Sequence, residues 1–265
     1  MVGAGPSGLL LALLLSKHGV SVDILEAEDH LDQQPRAAIY GTPAIPEFHR
    51  AGILGEIRRR GMVMNKMAWR RYEDYSVIAG FDNAVLEDVD GLDLRTSTLV
   101  LPELDQMMLD LSLSHGSTIS WEHKVVDVGQ DGDKAWADVE TKDGMKRVEA
   151  DYIVGCDGAN STVRKCVFGK DFPGFTWDTQ IVATNVRKDL GTRRISGPHQ
   201  VSLADVSDRI KVYYDFEGKF GFHDANFILH PEHFFVWFLP LPPSTPHSRD
   251  REFQSTQMVA ADTGN

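Results

Sequence analysis

The chain opens Met1-Val2-Gly3-Ala4-Gly5-Pro6-Ser7-Gly8 and continues Leu9-Leu10-Leu11-Ala12-Leu13-Leu14-Leu15. Three glycines at this spacing, followed at once by strong helix formers, predict a tight turn that feeds a helix. Ser16-Lys17-His18-Gly19 closes that helix, with cations near its C-terminus and a glycine as the stop. Val20-Ser21-Val22-Asp23-Ile24-Leu25-Glu26 then alternates as a strand does and ends in an acid. Each part has a mechanical purpose. Gly3 permits the turn, Gly5 lets a phosphate approach the backbone, and Gly8 lets the helix pack against the strand. Free N–H groups of the helix N-terminus, around Pro6 and Ser7, suit a pyrophosphate. Glu26, with Ala27 behind it, falls about twenty residues on, where a carboxylate holds ribose hydroxyls. The segment is therefore expected to be the ADP-binding half of a dinucleotide site. Only Met1-Val2 precede the loop, fewer residues than a leading strand ordinarily has. A misplaced start or a fragment is expected, at a cost to the strand that belongs at the centre of the sheet.

The remainder of the composition bounds the possibilities. With 265 residues, 42% hydrophobic and 25% charged, the chain has enough material for one large domain or two smaller ones. Its net charge of −12 and sequence pI near 5.2 argue against a nucleic-acid or anionic-membrane partner. Cys156 and Cys166 are too few for a disulfide framework and have no metal-ligand company, so reduced thiols in a cytoplasmic protein and no metal are expected. Gly8 to Leu15 lacks the basic leader and cleavage site of a signal peptide. No stretch approaches the roughly 20 apolar residues of a membrane span.

A second motif lies at Asp151-Tyr152-Ile153-Val154-Gly155-Cys156-Asp157-Gly158-Ala159-Asn160-Ser161-Thr162-Val163-Arg164. An apolar strand runs into Asp-Gly, a polar turn, and a short helix for which Ser161 is the candidate N-cap. A carboxylate at the C-terminal edge of a strand, here Asp157, suits ribityl or ribose hydroxyls, and Gly158 permits close backbone approach. The acid at Glu26 disfavours a 2′-phosphate, which leaves FAD or NAD ahead of NADP.

Together with Gln34-Pro35-Arg36-Ala37, these two motifs resemble the single-component flavoprotein aromatic hydroxylases, the class of para-hydroxybenzoate hydroxylase and phenol hydroxylase. Phe172-Pro173-Gly174-Phe175-Thr176-Trp177 and Phe227-Ile228-Leu229-His230-Pro231-Glu232-His233 resemble its fungal branch, and the Asp157-Gly158 run resembles its second signature. The resemblance covers most of 1–186 and again roughly 212–236. It implies an α/β, Rossmann-like FAD-binding domain, discontinuous in sequence, with a partial antiparallel substrate-domain sheet. The cofactor implied is FAD, with NAD(P)H as reductant, O2 as co-substrate and a small aromatic molecule as substrate. The chemistry belongs to the flavin, so no protein nucleophile is assigned. Gly3, Gly5, Pro6, Ser7, Gly8, Glu26 and Ala27 are expected to hold the ADP half. Arg36 is expected to contact the cofactor from its loop, or else to be an exposed arginine after a proline. Asp157 and Gly158 are expected along the FAD. Arg164 has three open roles: supporting NAD(P)H, supporting the motif, or pairing at a helix end. A homodimer is compatible with this reading.

The resemblance places the FAD-binding domain at 1–72 and 98–172, and a partial substrate sheet at 73–97 and 173–236. Phe48 to Arg60 has a helical pattern with a glycine break, and Met67 to Ile78 alternates as one strand. The Leu101 to Leu111 segment predicts a helix whose Met107 and Met108 are core residues. Family members often carry a cofactor-contacting glutamine where Leu101 stands, with Gln106 a weaker substitute. Ile119 to Val128, Ala135 to Thr141 and Lys146 to Glu149 predict strands of a meander, with turns at Asp131-Gly132-Asp133 and Asp143-Gly144. Gln180 to Val186 predicts a further strand. Residues 187–211 lack clear periodicity and suggest a non-family insertion. Four prolines between Pro240 and Pro246 suggest a disordered tail over 237–265. Phe220, Phe222, Phe227, Phe234 and Phe235 suit core packing better than a pocket lining.

The family's second flavin segment, a Gly-Asp run before a glycine-rich helix, has no counterpart after residue 165. A non-catalytic fragment that retains the ADP/FAD-binding half is thus an alternative to the monooxygenase. An NAD-dependent dehydrogenase is a weaker one, opposed by the Asp157-Gly158 motif and by the lack of a Tyr-x-x-x-Lys type pair.

Overall fold

A computed structural model describes residues 1–34, 39–175, 181–189, 224–229, 233–238 and 253–262. Its helices are α1 (Pro6–Lys17), α2 (Ile45–Ala51), α3 (Leu54–Arg60), α4 (Leu101–Ser114) and α5 (Thr162–Phe168). The strands through the middle of the chain are β1 (Asp23–Leu25), β2 (Ile39–Tyr40), β3 (Met62–Val63), β4 (Lys66–Arg71), β5 (Val77–Asp82) and β6 (Ser97–Thr98). They continue with β7 (Thr118–Ser120), β8 (Lys124–Asp131), β9 (Lys134–Thr141) and β10 (Gly144–Ala150). The last four are β11 (Ile181–Asp189), β12 (Ala225–Leu229), β13 (His233–Phe238) and β14 (Phe253–Asp262). Two compact units share these elements. The first comprises Met1–Ala37, Glu47–Leu54 and Val100–Trp177, and the second Ala38–Pro46, Gly55–Leu99 and Asp178–Asn265.

The first unit is built on parallel pairing. β1 pairs β7 in parallel, Asp23 opposite Thr118 and Leu25 opposite Ser120. Val2 forms parallel bridges to both Leu25 and Gly155. Met1-Val2 therefore occupies the centre, where the leading strand was expected. The Val2 N–H donates to Val154 O at 2.9 Å, and Val2 O accepts from the Cys156 N–H at 2.7 Å. The segment 151–156, expected as a strand, is reduced to a single bridge at Gly155, because Val2 is the partner facing it. α1 and α4 pack together, with Leu9, Leu13, Leu104 and Met108 buried. Burial of each such side chain stabilises the unit by roughly 1.5–3 kcal/mol. Met107 and Met108 are core residues, as their helical spacing indicated.

β8, β9 and β10 form the antiparallel meander, with glycines of positive φ at 132 and 144 in its two turns. The expected strand Ile119 to Val128 is in fact two. β7 and β8 belong to different sheets, and the chain turns between them at Glu122, whose φ is 57° and whose N–H donates to Glu28 O. α5 packs on β8, and Val163 joins Val2, Leu25, Val125, Ala137 and Val139 in one apolar cluster.

The second unit holds a six-stranded sheet in the order β11-β14-β13-β12-β4-β5. The β12–β4 pair is parallel and the other pairs are antiparallel. Met67 to Ile78 is a hairpin rather than one strand: β4 and β5 pair across a turn at Tyr75, where φ is 58°. Trp69 stacks on Phe227 at 5.2 Å, and Arg70 on the opposite face is buried with its Nε–H donating to Asn226 Oδ1 at 2.8 Å. Phe227 thus packs rather than standing open; Phe234 and Phe235 lie in β13, and Phe220 and Phe222 fall outside the described residues. The expected strand at Gln180 to Val186 is β11, which runs on through Asp189 into the first residues of the supposed insertion. Residues 190–211 and the prolines from 240 to 246 fall outside the described residues. The expectation of a disordered tail fails at Phe253–Asp262, which forms β14 between β11 and β13. Proline clustering spoke only for the stretch before it; nine consecutive residue pairs with β11 decide the rest.

Candidate dinucleotide site

The glycine loop sits where the parallel strands end. Gly3 has φ +96°, and a Cβ there would lie 2.6 Å from Cys156 O, so both conformation and space demand glycine. A Cβ on Gly8 would lie 2.2 Å from Gly3 O and 3.2 Å from the Cys156 Cβ, so α1 can start this close to the turn only without a side chain. Gly5 differs. It is the N-cap of α1 in ordinary extended backbone, and a Cβ there would meet nothing within 4 Å. Its surroundings are open, as a phosphate against the backbone requires. No side chain caps α1, Pro6 occupies its first turn, and both Pro6 and Ser7 are exposed. The positive end of a twelve-residue helix therefore faces this opening unneutralised.

Glu26 closes the other side. Its Oε2 accepts from the Ala4 N–H at 2.7 Å, inside the glycine loop, and its Oε1 accepts from the Glu28 N–H at 3.0 Å. The carboxylate thus fixes loop and strand end relative to one another, and it remains partly exposed. Ala27 is exposed beside it. Arg36 falls outside the described residues.

The Asp157-Gly158 motif adjoins the same loop through Cys156, but its carboxylate turns inward. Asp157 Oδ1 accepts from the Ser161 hydroxyl at 2.5 Å, and Oδ2 accepts from the N–H groups of Thr162 (2.6 Å) and Val163 (3.2 Å). Ser161 Oγ in turn accepts from the Arg164 N–H at 2.9 Å, which makes Ser161 the N-cap of α5. Gly158 carries the chain through the turn at φ +81°, and its carbonyl accepts from the Ser161 N–H. Arg164 reaches back to Ala159 O at 2.8 Å and lies 5.0 Å over the Phe172 ring, so it braces the motif from outside. Of its three open roles, support of the motif is the one visible here.

Leu101 is the first residue of α4, and Gln106 bonds its own helix through Asp110. Sequence reasoning passed over Asp105 between them. It is buried, its Oδ1 has no hydrogen-bond partner, and burial, reinforced by the charge of Asp32, pushes its carboxyl up to about 7. Its signal was an acid at a core position of a helix with apolar spacing. Among the described residues no helix is long and apolar enough to cross a membrane.

The arrangement fits an adenine dinucleotide: an open backbone cradle, a free helix N-terminus, and an acid at the end of the second strand. A family model described as "FAD binding domain" matches residues 1–209. The chain belongs to this FAD-binding domain family. The cofactor is accordingly FAD. The chain is 35% identical over 193 residues to para-nitrophenol 4-monooxygenase of Pseudomonas sp. strain WBC-3, a match covering 72% of this chain and 47% of the relative. It is 34% identical over 193 residues to 6-hydroxy-3-succinoylpyridine 3-monooxygenase of Pseudomonas putida, covering 72% of this chain and 48% of the relative. The crystal structure of p-nitrophenol 4-monooxygenase from Pseudomonas putida DLL-E4 superposes with a TM-score of 0.76 at 28% identity, over 98% of this chain and 56% of that one. The chain thus spans about half the length of the curated relatives it matches. These relatives are bacterial, and they lend no support to the fungal resemblance of the Phe172 and Phe227 segments.

Proposed function

We propose that the chain supplies the FAD-holding unit of a monooxygenase that hydroxylates a small phenolic or related aromatic molecule at the expense of NAD(P)H and O2. The observation that carries this reading is the Glu26 carboxylate joined to the glycine loop beside an uncapped α1, in a chain one-third identical to two aromatic monooxygenases. FAD would supply the redox chemistry when bound, with NAD(P)H as the electron donor, one oxygen atom of O2 entering the ring and the other leaving as water. The residues of the chain bind and orient. The backbone of Gly5 and the first turn of α1 meet the pyrophosphate, and Glu26 takes the ribose hydroxyls while holding Ala4. Asp157 acts through α5, keeping the Gly158 backbone in place beside the cofactor. The six-stranded sheet of the second unit, within which Trp69 and Phe227 pack on one another, is the part of the chain left for the substrate side.

The test is reconstitution with FAD, followed by the visible spectrum and NAD(P)H oxidation with p-nitrophenol or a hydroxypyridine as the probe. A yellow protein whose NAD(P)H oxidation rises with the phenol is expected. A colourless protein that takes up no FAD would overturn the proposal, and FAD bound without turnover would restrict the chain to the nucleotide-holding role.

A further inference from the structure

The parallel pairing of the first unit runs β7, β1, Met1-Val2 and then the segment 151–156, where it stops. In a parallel pair a residue turns its N–H and its C=O to the same side. Val154 O and the Cys156 N–H both face Val2. The backbone groups of Ile153 and Gly155 therefore face the other way, and among the described residues no backbone group pairs with them. The extended segment that carries the chain into Asp157-Gly158 thus has an open edge. Unpaired N–H and C=O groups in a row are a template for another strand.

The two faces beside this edge are also only part covered. Gly155 faces α5, since a Cβ there would lie 2.7 Å from the Val163 Cβ. Ile153, two residues earlier on that side, packs against the apolar cluster that contains Val163. Val167 lies one turn on from Val163 on the same face of α5, yet it is 59% exposed where Val163 is 9% exposed. Cys156 faces α1, its Cβ 3.2 Å from the place of a Gly8 Cβ. Val154 and Tyr152 alternate onto that side and are 38% and 86% exposed. Parallel sheets are ordinarily covered on both faces, so apolar side chains this open mark a missing neighbour.

We propose that the Ile153–Gly155 edge, with Tyr152 and Val154 beside it, is the docking surface for an apolar strand and a following helix from polypeptide that these 265 residues do not include. The strand pairs in parallel with 153–155, and its helix lies over Val154 and Tyr152 next to α1. A second copy of the chain fits the edge poorly. A two-fold related copy presents its own edge antiparallel, and each chain carries a net charge of −12. The solved p-nitrophenol 4-monooxygenase matches 98% of this chain with 56% of its own, so the rest of that chain is polypeptide without a counterpart here. A parallel strand ends where 151–156 ends, which brings the docked segment to the glycine loop and Asp157. The docking itself stands on the sheet, independently of what the loop binds.

The probe is the unmatched remainder of p-nitrophenol 4-monooxygenase from Pseudomonas putida DLL-E4, made as a separate polypeptide and mixed with the 265-residue chain. Sedimentation should show a one-to-one complex. The Ile153 and Gly155 amides, unprotected in the chain alone, should exchange at least about tenfold more slowly in the complex. Tyr152→Lys should leave the urea midpoint of the free chain unchanged, because that side chain is open, and should weaken the complex at least about tenfold. If the separate piece is insoluble, the same remainder joined to Asn265 by a flexible linker should protect the two amides. Amides already protected in the chain alone, or still unprotected in both the mixture and the fusion, overturn the proposal. So does a native dimer that Tyr152→Lys converts to monomer, which would make a second copy the occupant. FAD uptake is read separately: protected amides without FAD leave the docking standing and remove the reading of the cradle.

Discussion

Glu26 and Ala4 are joined by a 2.7 Å hydrogen bond from the loop N–H to the carboxylate, across 22 residues of chain. One side chain thereby braces the glycine loop and stands at the position we propose for the ribose acid. Glu26→Gln keeps the shape but replaces one acceptor oxygen with a donor and removes the charge. FAD binding should weaken by about ten- to a hundredfold, or 1.4–2.7 kcal/mol. Equilibrium titration with FAD and with ADP checks this, and the two ligands should lose affinity in parallel.

The glycines of the loop should separate by mechanism. Gly8→Ala sets a Cβ against the backbone oxygen of Gly3 and should destabilise the unit by about 1–3 kcal/mol. Gly5→Ala meets no protein atom and should leave the urea midpoint within about 0.5 kcal/mol of the native value. FAD affinity should nonetheless drop at least about tenfold, because the added methyl takes the space that the phosphate needs. A Gly5→Ala chain with native affinity would show that the phosphate lies elsewhere.

Asp157→Ala strips α5 of three hydrogen bonds at its first turn. A loss of about 1–2 kcal/mol in unfolding free energy is expected, as for helix caps elsewhere. Ser161→Ala should cost about 1 kcal/mol, and the double variant should fall short of the sum because the two side chains bond each other.

Asp105 makes stability depend on pH with a definite sign. Its carboxyl, near 4 in the unfolded chain, stands at about 7 when folded, so folding takes up a proton between those values. Its contribution is most favourable below pH 4, declines as pH rises, and is exhausted above 7. The span corresponds to about 4 kcal/mol. Asp105→Asn should therefore gain on the native chain by about that amount between pH 4 and pH 8, measured by urea denaturation at each pH.

Much of the first unit was legible because local and tertiary demands agree there. The helix at Pro6–Lys17, the glycine break between α2 and α3, the meander and the α4 methionines all follow from periodicity and turn residues. The failures share a different cause. Met67 to Ile78 and Ile119 to Val128 each have the alternation of a single strand, but the chain reverses or changes sheet inside them at Tyr75 and Glu122. Both residues take positive φ without being glycine, which leaves no compositional trace. The β14 strand was hidden for another reason: its order comes from pairing with β11, some 70 residues earlier in the chain. Asp105 escaped notice because an acid in a helix is ordinarily a surface residue, and only packing reveals that this one is enclosed.

The inward turn of Asp157 also fixes what can replace it. Its two oxygens span the distance from the strand end to a hydroxyl and two amides of the first helical turn, so the side chain works as a ruler as much as an anion. Glutamate has the same charge and one more methylene, and it would overshoot those donors or push α5 outward along its axis. Length, and not acidity alone, is what the position selects.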